Sequence, residues 1–173
     1  YALTPSLATG GTFSTSNYEI TYTAGALTVN KKALTITANG DTKTYGDVKT
    51  YGSGSTAFTS SGLVNSQTIG SVTITDTNSG GVNTAGAGGT YALTPSLATG
   101  GTFSNSNYDI TYTAGALTVN KKALTITANN DSKTYGDVKT YGSGSTAFTS
   151  SGLVNSQTIG SVTITDTNSG GVN

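Results

Sequence analysis

A lysine and an aspartate stand four residues apart in Lys43-Thr-Tyr-Gly-Asp47, the most reactive pairing the chain offers. Held together away from water, an amine and a carboxyl can condense to an isopeptide crosslink, with Lys31 and Lys32 as further amine candidates. Beside glycine in a turn, the same pair is a solvated surface ion pair worth about 0–1 kcal/mol. The residues favour the turn, and intact mass would separate the two, because each crosslink loses one ammonia or water. Asp41, Asp47, Asp76 and Asn78 offer oxygens to calcium. Calcium takes about 6–8 oxygens, usually from carboxylates close together. Here each acid is isolated and turn-like in context, so turn building is the expected role. Tyr45 and Tyr51 flank a Gly-rich loop, and Tyr108 and Tyr112 share one strand face. Exposed tyrosines of this kind stack on sugars, whereas buried ones belong to a core, the commoner use. Thr21/Thr23, Thr35/Thr37 and Thr73/Thr75 form short ranks that could order water, but outward strand positions favour Thr in any case. Asn130-Asp-Ser matches a glycosylation sequon and is given no weight. No residue is assigned a catalytic, cofactor-binding or metal-binding role, and no cofactor is expected.

What the chain lacks narrows its chemistry further. It has no Arg, His, Cys, Met or Trp. A Ser-His-Asp triad, a cysteine nucleophile, a thiolate or imidazole zinc site and a disulfide framework are therefore all excluded. Charged residues make up 9%, against about 25% in ordinary domains. Eight Lys balance seven Asp and one Glu, so no basic face is expected for nucleic acid. No apolar run approaches the roughly 20 residues that span a bilayer. Few acids and no His leave poor acid–base options, so the chain is not expected to be an enzyme. The chain opens at Tyr1 and reads as an internal fragment of something longer.

The elements that would position these residues are strands. Tyr18, Ile20 and Tyr22 alternate with Glu19, Thr21 and Thr23. Leu34, Ile36 and Ala38 alternate with Thr35 and Thr37, and Val72 and Ile74 with Thr73 and Thr75. Such period-two patterns mark half-buried strands. Gly, Asn and Asp clusters between the runs supply turns. One short helical turn is expected around Ser61–Thr68, and Pro5 and Pro95 are expected at an edge or strand end. The expected core of each copy is Leu3, Phe13, Tyr18, Ile20, Tyr22, Leu27, Val29, Leu34, Ile36, Tyr45, Phe58, Leu63, Val64, Ile69, Val72 and Ile74. Gly52-Ser-Gly-Ser and Ala85-Gly-Ala-Gly-Gly lack the ending of a phosphate loop and read as flexible connections. The fold class is all-β, or a β-grasp-like arrangement with one short helical turn.

The whole chain repeats with a period of 90 residues. Residues 1–83 align with 91–173 without a gap and differ only at Thr15/Asn105, Glu19/Asp109, Gly40/Asn130 and Thr42/Ser132. A period this long exceeds a solenoid coil of about 20–50 residues and suits a small domain. Tandem copies supply length, multivalency or both.

Six blocks then carry a family resemblance: Lys32-Ala-Leu-Thr-Ile-Thr-Ala, Lys43-Thr-Tyr-Gly-Asp, Gly62-Leu-Val-Asn, Gly89-Thr-Tyr-Ala-Leu, Ser106-Asn-Tyr-Asp-Ile-Thr-Tyr and Gly115-Ala-Leu-Thr-Val-Asn-Lys. Their order and spacing resemble the MBG domain of the YGX type and its YDG relative, with Tyr-Gly-Asp standing where the relative carries Tyr-Asp-Gly. The resemblance implies a β-rich repeat of very long bacterial surface proteins, including filamentous-haemagglutinin-like adhesins, and an extracellular or cell-surface location. It brings no catalytic residues. It also sets the phase: 1–31 is the C-terminal part of a preceding repeat, 32–121 one complete repeat domain, and 122–173 the N-terminal part of a following repeat.

The expected function is a structural stalk or filament segment supporting adhesion or an extracellular matrix. The alternative is a repeated weak carbohydrate- or surface-binding module acting by avidity. A further reading is a fibre subunit in which the tail of one molecule is completed by the head of the next. The expected partners are neighbouring repeats of the same chain, other copies through strand pairing, and a glycan or surface ligand.

Overall fold

The computed structural model describes residues 1–167. Its strands are β1 (Ala2–Leu3), β2 (Gly25–Ala26), β3 (Lys32–Ala38), β4 (Asp41–Thr44), β5 (Phe58–Ser61), β6 (Ile69–Thr77), β7 (Tyr91–Gly101), β8 (Tyr108–Thr113), β9 (Gly115–Asn120), β10 (Thr125–Ala128) and β11 (Phe148–Ser151). The fold is all-β. Two sheets form the main body: β5-β3-β8, and β4-β9-β7-β6. Two hairpin-like pairs, β1-β2 and β10-β11, stand on either side of it in sequence.

Two long bent strands tie the main sheets together. Only Asn39 and Gly40 separate β3 from β4, and only Ala114 separates β8 from β9. One residue is too short to reverse a strand, so the chain runs on from one sheet into the other. Pairing confirms it: β3 runs parallel to β8, and β4 runs parallel to β9. Lys32 faces Tyr108 and Asp41 faces Leu117, so one unbroken register spans both ladders. At the bend the outer neighbours change, β5 flanking β3 and β7 flanking β9. The first and last strands of the 32–120 segment are thus side by side.

Alternation then builds the core. Leu34, Ile36 and Ala38 of β3 point inward while Thr35 faces out. They meet Val72 and Ile74 of β6, Leu93 and Ala98 of β7, Tyr108 of β8 and Leu117 of β9. Tyr51, Phe58, Leu63, Ile69, Phe103, Ile110 and Tyr112 pack around this cluster half-buried. Each fully buried aliphatic side chain stabilises by about 1.5–3 kcal/mol before the entropy of ordering is set against it.

The structure corrects several sequence expectations. The expected core residues of the first 31 positions, Leu3, Phe13, Tyr18, Ile20, Tyr22, Leu27 and Val29, are exposed, as is Val64. Their sequence copies Leu93, Tyr108, Leu117 and Val119 are buried, because only those meet β3, β4 and β6. The Ser61–Thr68 segment carries no helical turn. Asn65 and Ser66 both have positive φ, and the Gln67 amide donates to the Val64 carbonyl, giving a tight turn of the type that reverses strands. The helical turns of the fold are 3-10 and lie at Thr15–Asn17 and Asn105–Asn107. Pro95 is fully buried within β7 rather than at a strand end, but it lies where β7 is an edge, unpaired on its β9 side, the other position expected for it. It is tolerated because β9 pairs β7 only as far as Leu93, so no ladder on that side needs its missing N–H. Pro5 lies just beyond β1, as expected. The Gly-rich connections are hydrogen-bonded: the Gly52 carbonyl accepts from Ile74 N, and the Gly86 carbonyl accepts from Tyr91 Oη.

Candidate functional site

The charged residues of β4 and its surroundings gather at one place. Alternation puts Asp41 and Lys43 on the inward side of β4, Thr42 outward. Asp41 accepts from Lys49 Nζ at 2.5 Å, from Tyr51 Oη at 3.0 Å and from its neighbour Thr42 N at 2.7 Å. Burial pushes the Asp41 carboxyl up, but the hydrogen bonds from Lys49, Thr42 and Tyr51 outweigh it and hold the group below its ordinary value. Burial, then the bond to Asp41, pushes the Tyr51 hydroxyl well above its own ordinary value, so it stays a donor. A carboxyl depressed in the folded state stabilises at pH above its unfolded value, and that stability is lost as pH falls through the folded value. We expect stability to decline below about pH 4, near the ordinary carboxylate value. Asp41→Asn should flatten part of that decline, as read by urea midpoints between pH 6 and pH 2.5.

Lys43 is the one buried charged residue of the described chain. It is not the surface ion pair expected from sequence. Its Nζ donates to two main-chain carbonyls, of Asp47 at 3.0 Å and of Val82, tying two loops to β4. Asp47 uses its own carboxylate to accept from Thr44 N. Lys43→Met keeps the packed stem and orphans both acceptors. It should cost about 1–2 kcal/mol, whereas Lys133→Met, at the exposed copy, should stay within about 0.5 kcal/mol; denaturant titration checks both.

The other candidates serve the fold. Asp76 accepts from Gly80 N at 2.9 Å and Gly81 N at 2.6 Å, building the turn after β6. Among the described residues, no three of Asp, Glu, His or Cys gather where they could hold a metal ion. Tyr108 is buried, with Val64 N and Gln67 Oε1 at its hydroxyl, and Tyr112 Oη accepts from Ala98 N. Tyr45 is half-buried. Thr35 and Thr37 stand beside Thr111 and Thr113 in the ladder, on the face away from the core. Lys31, Lys32 and Asn130 are exposed, and Asn78 caps the neighbouring loop by donating to Thr90 O. The burial of Lys43 was missed in sequence, where it read as one half of a solvated surface pair with Asp47.

Residues 1–31 and 122–167 repeat parts of the 32–121 segment in sequence, and their local geometry can be compared with it. Residues 122–167 keep the local geometry of 32–77. β10 pairs β11 as β3 pairs β5, Ser145 bridges Val162 as Ser55 bridges Val72, and Lys139 pairs Asp131 as Lys49 pairs Asp41. No copy of β7, β8 or β9 covers this half, and Ile126 is 47% exposed where Ile36 is 0%. A groove of about 470 Å³ runs past Asn129, Asp131, Lys133, Tyr141 and Ile164. In the complete unit, the corresponding space beside Asp41, Tyr51 and Ile74 shrinks to about 320 Å³ and is walled by Leu93 of β7. Residues 1–31 keep the geometry of 91–121: Ala2 faces Ala26 as Ala92 faces Ala116, and Tyr22 Oη accepts from Ala8 N. Leu27 is 48% exposed where Leu117 is 2%.

The 122–167 half also touches the complete unit. Val154 lies against Gly46, where an added Cβ would come within 2.8 Å of it, and Asn155 Nδ2 donates to Asn83 O at 3.0 Å. Gly46 is the central residue of the Tyr45-Gly46-Asp47 turn, so this turn forms a joint.

These features define a small all-β module whose long first and last strands lie side by side. The segment 34–118 matches the MBG domain (YGX type). No curated protein and no solved structure matches the chain. No helix among the described residues is long and apolar enough to cross a membrane.

Proposed function

We propose that the chain is a stalk or filament segment of a long secreted or cell-surface bacterial repeat protein, supporting adhesion or an extracellular matrix, and that it carries no catalytic chemistry. Its repeat unit runs from 32 to 121, with 1–31 and 122–173 belonging to its neighbours in series. The observation that carries this reading is the joint. Val154 of the following repeat lies against Gly46, and Asn155 donates to the Asn83 carbonyl, which supports successive copies meeting through the same contacts. Copies joined the same way each time generate a uniform rod, in the manner of repeat proteins whose units contact only their neighbours. The polar side chains of Lys43, Asp76 and Tyr112 fit this role, because they are spent on backbone carbonyls and amides of the fold.

Chains of two, four and eight repeats test the proposal by small-angle scattering. Maximum dimension should rise linearly with repeat number, and Asn155→Ala with Val154→Ala should make the rod more flexible. A radius that grows as in a compact globule, or turnover of a substrate by the purified chain, would overturn it.

A further inference from the structure

We propose that Asn39 is a site of spontaneous covalent modification, where the side-chain amide cyclises onto the Gly40 nitrogen and then hydrolyses to aspartate and isoaspartate. The inference concerns one bond inside the 32–121 segment and is independent of the stalk reading. Asn39-Gly40 is the one Asn-Gly pair of the sequence. Such a pair normally closes a hairpin. Here it forms the whole link between β3 and β4, at the bend where the long strand passes from one sheet into the other. Both residues are exposed. Both also line the cavity of about 320 Å³ beside Asp41, Tyr51 and Ser55, so water has access to the amide and ammonia has a way out.

The chemistry balances with water as its only co-reactant. The Gly40 nitrogen gives its proton to solvent base and attacks Cγ of Asn39. An N–Cγ bond forms, the Cγ–Nδ2 bond breaks, and Nδ2 takes up a proton and leaves as ammonia. One water then opens the five-membered ring. Breaking the new N–Cγ bond gives aspartate, and breaking the original C–N bond gives isoaspartate, whose main chain is longer by one carbon. Glycine matters because it has no Cβ to shield the attacking nitrogen. The other copy supplies the comparison, since Asn129 is followed by Asn130. Asn129 is exposed like Asn39, and its N–H donates to the Ala147 carbonyl as that of Asn39 donates to Ala57, each at 2.9 Å. The two links differ in the residue that carries the attacking nitrogen. An extra carbon at 39 offsets β4 on β9 relative to β3 on β8, because the parallel register runs unbroken through the link. A second carboxylate also enters the cavity beside Asp41, whose charge Lys49 already balances.

Peptide mapping of the folded 173-residue chain, aged at mildly alkaline pH, tests the proposal. The peptide holding Asn39 should gain about 1 Da as amide becomes acid and should resolve into aspartyl and isoaspartyl forms. Its conversion should run at least about tenfold ahead of the peptide holding Asn129, whose attacking nitrogen is shielded by a side chain. Asn130→Gly should bring Asn129 up to the Asn39 rate. Asn39→Gln should abolish conversion at 39, and its urea midpoint should hold on ageing while that of the unsubstituted chain falls. Gln keeps the polar amide without adding a Cβ at Gly40, where one would lie 3.3 Å from the Ala116 carbonyl oxygen. Equal conversion at Asn39 and Asn129 would overturn the proposal. So would no conversion at Asn39 in the folded chain, even where the urea-unfolded chain converts there.

Discussion

Replacing Ile36 with alanine is expected to destabilise the complete unit by about 2–5 kcal/mol. The same replacement at Ile126 is expected to cost less than about 1 kcal/mol. The two isoleucines sit in identical sequence, Leu-Thr-Ile-Thr-Ala, and pair with identical antiparallel partners, Ser60 and Ser150. Only Ile36 has a second strand beside it, with Tyr112 of β8 opposite, and only Ile36 joins the core cluster. Removing three carbons there leaves a cavity that two crossing sheets cannot collapse to fill. At Ile126 the side chain faces water, and its loss removes little. Guanidinium denaturation reads the difference as a shift in midpoint for one variant and almost none for the other. Equal effects at the two positions would mean that the second half is buried in the isolated chain.

Gly115→Ala is expected to cost about 3 kcal/mol, at the upper end of what overpacking does. Gly115 opens β9 at the bend, where the long strand passes from one sheet into the other. A Cβ there would lie 2.5 Å from the Ala38 carbonyl oxygen and 2.7 Å from that of Asn39. Both are backbone atoms of the neighbouring bent strand, so no side chain can swing aside, and the parallel register itself must spread. At the copy, Gly25, the nearest atom to such a Cβ is Leu3 Cβ at 3.9 Å, an ordinary contact. Gly25→Ala should therefore stay within about 0.5 kcal/mol. Thermal or denaturant melts of the two variants give the comparison directly.

These paired positions show how much of the structure was legible in the sequence. Alternation located β3, β6 and β8 and named Leu34, Ile36, Val72 and Ile74 as inward, because period two reports which face of a strand a residue takes. It does not report what covers that face. Leu3 and Leu93, or Tyr18 and Tyr108, carry the same local signal, yet one of each pair is buried and the other is not. Their fates differ through strands some 60 to 80 positions away in the chain, which no local window contains. The parallel partnership of the first and last strands was invisible for the same reason. Ser61–Thr68 misled because Asn65 and Ser66 adopt positive φ, a choice that polar residues make readily and that composition does not distinguish from a helical start. Of the candidate site, the turn role of Asp47 was legible from the adjacent Gly46, whereas Asp41, read as a turn residue beside Gly40, is a strand residue that holds Lys49 and Tyr51. Lys43 was not legible, since a lysine beside a turn normally reaches into solvent, and only the Val82 carbonyl arriving from a distant loop draws it inward.

The unbroken register between the strand beginning at Lys32 and the strand ending at Asn120 has a consequence for a chain under tension. A pull that enters at Lys32 and leaves at Asn120 drags two parallel neighbours in opposite directions along their own length. Their hydrogen bonds are then loaded together in shear instead of being peeled apart one after another from an end. Resistance to such a pull is set by the rate of unfolding rather than by equilibrium stability. A module with a modest core can therefore yield slowly when stretched, provided the direction of stretching is along the chain.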